Sequence, residues 1–592
     1  MFRSTAGATL ALIALASCSS SSDSSSDATP NVADIRADSN RDGVVRFDDD
    51  SDAEKMTWDA KHGAVFVANI DDDLDACKKT GDDTTLPSCN DAANDVVDGP
   101  DDLLDLARIK TRPWNDAPPA DATASFDVDK ADHIRLFKKS GDDFAVYAPG
   151  DPVTPDEVRA GVELAIEATD IVRDPAVWDG YVVVTFHVTS GGKTTSDSVK
   201  LRVAPVLTSH HLEPVETVYV SNTGDRQNGV LRTGLADVCV AAALSKPTEF
   251  SVQDQWTQDL FETGYMSMPA EGGKQHVIRV AYRTPALDDP SDAKNPLRAA
   301  GAVVFTKMRG KDFAGVQQFD PSHSLDMDSL NSFGNLETIP PYTKGGESFP
   351  FGRVIRGKTD KFFPDPSFTT MLEAQGQQPP VYIDTSWLYV GHVDETLSFV
   401  KASSPRGWAL LANDPTLAKK MLQDASSQGH GTTAMFVGLS WYDDNGDAKP
   451  ADTTIDGVLA NTDVMQASAK AAVAIDGQIA KIKEATGITD EEIIRIPFLH
   501  MSTMGASIAY QPGTVNGLYV ADNHFVAPDP HGPVVDGKDI FREQMTHALE
   551  PLSVTVDFID DWDEYHAVEG EIHCGTNSLR RVPDAKWWES AR

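Results

Sequence analysis

Basic residues are scarce in this 592-residue sequence: 51 lysines and arginines stand against 91 aspartates and glutamates, a formal net charge of -40. That deficit excludes a general nucleic-acid partner and favours cationic partners or bound divalent ions. Long apolar runs are missing as well. The one near the N-terminus, Ala6 to Ala16, is too short to span a bilayer. No short-period repeat is visible in the C-terminal segment of nearly 390 residues. Cysteine is sparse, with 5 residues, and each can be weighed by its surroundings. What is present is apolar content of 40% over a length that buries more than one core, which predicts at least two domains.

Arg3, the small apolar run and then Leu15-Ala16-Ser17-Cys18 read as a processing signal over residues 1–18. Ending directly at a cysteine, it resembles the lipobox of bacterial lipoproteins. That resemblance implies lipidation of Cys18 and an extracytoplasmic protein anchored to a bacterial membrane; an ordinary secretory signal is the other reading. Residues 19–30, rich in serine and aspartate, form a flexible tether. Cys77 and Cys89 either pair across a short acidic loop or stand as free thiols. Cys239 lies in an apolar context and reads as a core thiol.

From residue 31 to 205 convincing helical periods are few, and strands dominate. Tyr181 to Val188 and Val199 to Val203, on either side of Gly191-Gly192, have a hairpin pattern. The segment reads as an all-β sandwich with acidic loops. After Pro205 the pattern changes to alternating strands and helices, giving an α/β segment over 206–592. Thr217 to Val220 is a predicted strand. Thr462 to Ala485 is a predicted helix with Ala471, Ile475, Ile479 and Ile482 on one face and Gly487 as its stop. Another is predicted to start at Asn413-Asp414-Pro415.

Three segments place carboxylates, a histidine and a thiol in unusual company: Asp254 to Glu262, Gly391 to Glu395 and Glu571 to Asn577. Chemistry on a guanidinium needs these parts. A planar cation with five donors is held best by two carboxylates, here Asp259 and Asp394. Its weakly electrophilic carbon calls for a thiolate, here Cys574, and ammonia leaves once an acid such as His392 protonates it. Each residue also has a structural reading, Cys574 as a structural thiol and Asp259 as a helix cap or a loop carboxylate. His573 is a poor base for the thiol, because adjacent side chains on extended chain point to opposite faces; His392 and Asp394, two apart, share a face on a strand.

These segments, with Ser332-Phe-Gly-Asn-Leu-Glu337, Gly429-His-Gly431 and Lys586-Trp-Trp588 in the same order, resemble the catalytic motifs of the protein-arginine deiminases (peptidylarginine deiminases) of the pentein superfamily. The resemblance implies an immunoglobulin-like β-sandwich over 31–205 followed by a five-bladed α/β propeller over 206–592. It implies the catalytic residues Asp259, His392, Asp394 and Cys574, with Trp256 lining the substrate's aliphatic stem. The activity implied is calcium-stimulated conversion of arginine side chains in proteins or peptides to citrulline through a thiouronium on Cys574. A deiminase of free arginine or another small guanidine is the alternative, and a catalytically inactive calcium-binding surface protein the further one.

By the same resemblance, acidic loops of the first domain bind Ca2+ through Asp38, Asn40 and Asp42, through Asn69, Asp71 and Asp73, and through Asp102 and Asp105. The first loop has oxygen ligands at alternate positions followed by Gly43, as a hard cation and a sharp turn require. Gln258, Glu262, Glu337 and the carbonyls of Phe333 and Leu336 match a further calcium site beside the catalytic aspartate. Three departures accompany the match. The additional N-terminal domain of the vertebrate enzymes finds no counterpart. Leu260 stands where they carry an acidic calcium ligand. Their substrate-backbone arginine is matched only loosely, by Arg283.

Overall fold

The computed structural model describes residues 31–590 except 117, 225–227, 327 and 443–445; the processing signal, Cys18 and the tether lie outside the described residues. Within them, no helix is long and apolar enough to cross a membrane.

In the first half, Tyr181–Ser190 and Lys193–Val203 form the expected hairpin. Gly191 (φ +56°) and Gly192 (φ +75°) supply the two consecutive left-handed residues that a two-residue hairpin turn requires. Val182, Val184, Phe186 and Val188 alternate inward, so one face is buried. The hairpin belongs to a four-stranded sheet with Ala64–Phe66 and Thr123–Val128. A five-stranded antiparallel sheet runs Ile35–Ala37, Ala107–Thr111, Glu163–Ala168, Ile134–Ser140, Asp143–Val146. Ile109, Leu164 and Ile166 of one sheet and Phe126, Phe186 and Leu201 of the other share a single core. That core continues into the second half through Tyr265, Ile278, Trp587 and Trp588. Arg41 reinforces the junction, donating to the carbonyls of Trp588 (2.6 Å) and Gly63 (2.7 Å) under the ring of Trp58.

Cys77 and Cys89 are joined as a disulfide, which resolves the alternative left open by the sequence. The loop they close is clamped to the second half: Arg309 donates to the carbonyls of Leu86 and Cys89, and Asp83 pairs with Arg283 at 2.6 Å.

The second half repeats one pairing pattern, in which a central strand has an antiparallel neighbour on one side and a parallel neighbour on the other. Val215–Ser221 lies between Thr576–Arg580 and Thr248–Phe250. Lys274–Arg283 lies between Phe261–Ala270 and Phe313–Val316. Arg353–Lys358 follows the rule with Leu336–Ile339 and Val381–Asp384, and Trp408–Asp414 with Leu397–Lys401 and Ile493–Pro497. His524–Pro528 repeats it with Leu518–Ala521 and Thr555–Ile559. A parallel step needs a crossover, which the helices supply. Helix Thr462–Thr486 buries Ala471, Ile475, Ile479 and Ile482 and stops at left-handed Gly487; Asp414 caps helix Pro415–Ala425 by accepting from the Leu417 N–H, as expected. Thr576–Arg580, near the C-terminal end, pairs with Val215–Ser221, so strands from the two ends of this half share one sheet.

Candidate active site

The site is assembled from one turn of each repeated sheet, always the turn just before the antiparallel strand. Asp259 ends a short 3-10 turn before Phe261, Gly334 sits in another before Leu336, His392 and Asp394 precede Leu397, Asn516 precedes Leu518, and Cys574 precedes Thr576. Hydrogen bonds link the turns directly. Gln258 N–H donates to the Cys574 carbonyl (3.1 Å), Asp394 N–H to the Gly334 carbonyl (3.2 Å), and Gly334 N–H to Asp259 Oδ1 (3.4 Å). All four residues expected to be catalytic therefore come together.

The Cys574 Sγ lies 3.7 Å from Asp394 Oδ2 and 3.4 Å from Asn516 Nδ2. Asn516 Oδ1 also accepts from the His573 N–H (3.1 Å) and the Cys574 N–H (3.4 Å), so one side chain shapes the thiol's turn. His392 Nδ1 lies 3.9 Å from Asp259 Oδ1, and its Nε2 is 2.8 Å from the Ser329 carbonyl. A methyl group on Gly334 would meet His392 Nδ1 at 2.5 Å and Asp394 Oδ2 at 3.0 Å, so only glycine fits this floor. Asp394 Oδ1 is buried with no hydrogen-bond partner. Trp256, Asp259, Arg298, His392 and Cys574 line an open cavity of about 380 Å³.

Burial, then Asp394 and Asp259, push the Cys574 thiol well above its usual range. For His392, burial alone would lower the imidazole, but Asp259, Asp394 and Glu395 outweigh it and the net shift is upward. A cation held between the two aspartates would offset their share of that shift.

Two local expectations change. His392 and Asp394 lie in a turn rather than on a strand, and it is the turn that brings both against Gly334. Residues 572–575 also form a turn, and His573 points to Asp394, donating Nδ1 to Oδ2 at 2.9 Å. It is a positioning residue for that carboxylate. Arg283 is buried against Asp83 and Gln317 and does not reach the cavity. The arginine that does is Arg298, whose guanidinium donates twice to Asp254 (2.7 and 3.0 Å) and once to Asp259 (3.0 Å). Sequence reasoning missed Arg298 and Asn516. No motif surrounds either, and only the recurrence of one turn per sheet would have marked Asn516.

The expected metal ligands fall into three groups. Asp38, Asn40 and Asp42 are satisfied within their own loop: Asp38 accepts from the N–H groups of Asp42 and Gly43, and Arg46 pairs with Asp42. The second group fits a hard cation better. Asn69 Oδ1, both oxygens of Asp71 and Asp73, and Asp105 Oδ2 are buried without partners. Asp102 accepts from Asn69 Nδ2 at 2.7 Å, and Asp91, His276 and Asp312 complete the cluster, none of them foreseen. Burial and neighbouring aspartates raise Asp105 to about 9, and burial first among several causes raises Asp91 to about 7. The third group adjoins Asp259. Gln258 Nε2 bonds Glu262 (3.1 Å) and the Phe333 carbonyl (3.3 Å), while Glu337 Oε1 is unpartnered. Burial, then Glu337, raises Glu262 to about 8, and Glu337 reaches about 8 mainly through burial. Its oxygens suit the same kind of ion.

Comparison with known proteins agrees with this geometry. The family model "Protein-arginine deiminase (PAD)" matches residues 193–589. Protein-arginine deiminase type-4 of Mus musculus is 32% identical over 403 residues, covering 66% of this chain and 56% of that protein. The type-3 enzymes of Homo sapiens and Rattus norvegicus are 31% and 32% identical, each covering 69% of this chain and 60% of the relative. The chain thus spans somewhat more than half the length of these relatives. An amidinotransferase from Microseira wollei superposes over 65% of this chain with a TM-score of 0.30 and 11% identity, too little to argue from. With the family model running through all five of the turns that meet at Cys574, the chain belongs to the protein-arginine deiminase family.

Proposed function

We propose that the protein hydrolyses arginine side chains of proteins or peptides to citrulline and ammonia, with Cys574 as nucleophile. The observation that carries this reading is the buried, unpartnered Oδ1 of Asp394, whose Oδ2 lies beside the Cys574 thiol; with Asp259, which lines the same cavity as Cys574, it offers two carboxylates to a guanidinium. The chain's own Arg298 illustrates the affinity of Asp259 for that group. In the proposed reaction the Cys574 thiolate bonds to the guanidinium carbon, and one C–N bond breaks as His392 protonates departing ammonia. His392 then takes a proton from water as it attacks the thiouronium, and breaking the C–S bond releases citrulline. Trp256 packs along the aliphatic stem. The five similar sheets support a five-bladed α/β propeller, and the two facing sheets of the first half support an immunoglobulin-like sandwich.

The test is citrulline formation from an arginine-containing protein and from free arginine, each with calcium and with chelator. No citrulline from either substrate sinks the reading; consumption of free arginine alone transfers it to small guanidines. On Gly334→Ala we expect turnover to fall about 100-fold, since the methyl displaces His392 and Asp394 by ångström-scale shifts. Overpacking should also lower stability by about 1–3 kcal/mol without unfolding the protein, which a circular dichroism melt alongside the assay checks.

Calcium, in this reading, holds the acidic clusters together and does not enter the bond-making steps. It would be bound by Asn69, Asp71, Asp73 and Asp105, and beside the active site by Gln258, Glu262, Glu337 and the carbonyls of Phe333 and Leu336. Calcium should therefore raise the melting midpoint over that in chelator, by mass action on the folded state. The double variant Asp71→Asn, Asp73→Asn should melt higher than the parent in chelator and gain less from calcium, because two repelling charges are gone. An equal gain in parent and variant would remove this cluster from the calcium sites.

We also propose that Cys18 carries a lipid and that the enzyme works outside the cytoplasm. The Cys77–Cys89 disulfide supports that setting, since such bridges persist in oxidising compartments.

A further inference from the structure

Behind the thiol, on the side away from the open cavity, two histidines face one carboxylate. His211 enters from the loop between Leu207–Thr208 and Val215–Ser221. Its Nε2 lies 2.5 Å from Glu337 Oε2, His573 Nε2 lies 3.6 Å from Glu337 Oε1, and the imidazole centres are 5.2 Å apart. One donor atom from each of the three falls within 4.8 Å of the others. Because Asp394 holds His573 Nδ1, it is Nε2 that turns to Glu337. A carboxylate behind the far nitrogen is the arrangement that orients a metal-binding imidazole and sets its tautomer. Glu337 Oε1 and His211 Nδ1 are buried without hydrogen-bond partners. The three residues line a small cavity of about 20 Å³ together with Gln258, Glu262 and Arg580, room for one ion.

Two imidazole nitrogens and a carboxylate are the donors that Zn2+ and Co2+ favour, whereas Ca2+ takes oxygens alone. The nearby Arg580 is tied to the carbonyls of His211 (2.6 Å), Glu213 (2.9 Å) and Tyr519 (3.2 Å), and its charge is met by Glu213 and Glu262. We propose that His211, Glu337 and His573 form a site for a divalent transition metal of the Zn2+ class. Glu337 belongs also to the calcium set proposed above, so the two ions compete for it. A metal bound here clamps His573 and, through it, Asp394.

Equilibrium dialysis of the purified protein, stripped of calcium so that nothing competes for Glu337, against Zn2+, and the visible absorption of Co2+, test this. We expect one tightly held equivalent. Binding should weaken at least about 100-fold in His211→Ala and in His211→Gln, with loss of the Co2+ band. His276→Asn, in the separate Asp105–His276–Asp312 cluster, should leave that equivalent in place. Absence of a Zn2+ equivalent from the parent protein overturns the proposal. So does retention in both His211 variants, or loss in His276→Asn with retention in natively folded His211→Gln. Because the readout is metal content, a failure of calcium to stimulate turnover leaves this result standing.

Discussion

Cys574→Ala is expected to lower citrulline formation by at least about 10⁴-fold, because no other group near the cavity can form the covalent intermediate. Among the described residues the only other free cysteine is Cys239, buried in a separate apolar cluster with Leu231 and Leu235. Water cannot replace the thiolate at the weakly electrophilic carbon. The variant should keep its fold, since one sulfur is lost from a turn that Asn516 and the Gln258 N–H still hold. It should also still bind a guanidine, because Asp259, Asp394 and Trp256 remain. Citrulline assays beside an inhibitor-binding titration distinguish these outcomes. Turnover equal to the parent's would end the assignment of Cys574.

Asp394→Asn should cost about 10³-fold in kcat/KM, the scale on which one half of a buried charged pair is lost. Its Oδ2 accepts from His573 and neighbours the thiol, and its Oδ1 awaits a donor. An amide would present N–H groups to a guanidinium made only of N–H groups. A second measurement should move the other way. Asp394 is, after burial, the largest influence holding the Cys574 thiol above its usual range. Without that charge the thiolate forms at lower pH, so alkylation by iodoacetamide should begin at lower pH while turnover collapses. A variant that had merely disordered the site would not show this split. Alkylation moving to higher pH would contradict the electrostatic account.

Much of the secondary structure was legible because its signals are local. The alternation of Val182, Val184, Phe186 and Val188, the glycine pair after them, the face of Ala471, Ile475, Ile479 and Ile482, and the Asp414-Pro415 start all act within a few residues. The motif turns were harder. Extended-chain logic placed His392 and Asp394 on one strand face and dismissed His573, yet both segments are turns, where alternation does not apply. Arg298 escaped notice because it is 39 positions from Asp259, and its partners are chosen by folding. Asp312 and His276 were missed for the same reason: they reach the Asp71–Asp73–Asp105 cluster from the other half of the chain.

The sequence by itself determined the chemistry on offer: a thiol, two carboxylates and an imidazole in recognisable motifs, an acidic first half and the family. Residue type fixes what a group can donate, accept or attack, and motif order survives without coordinates. Only the tertiary structure decided which groups meet. It put five turns from five sheets around Cys574, closed Cys77 onto Cys89, left Asp394 Oδ1 and the oxygens of Asp71 and Asp73 buried without partners, and set His211 beside His573. Contacts across hundreds of residues depend on sheet pairing and core packing, which no local pattern encodes.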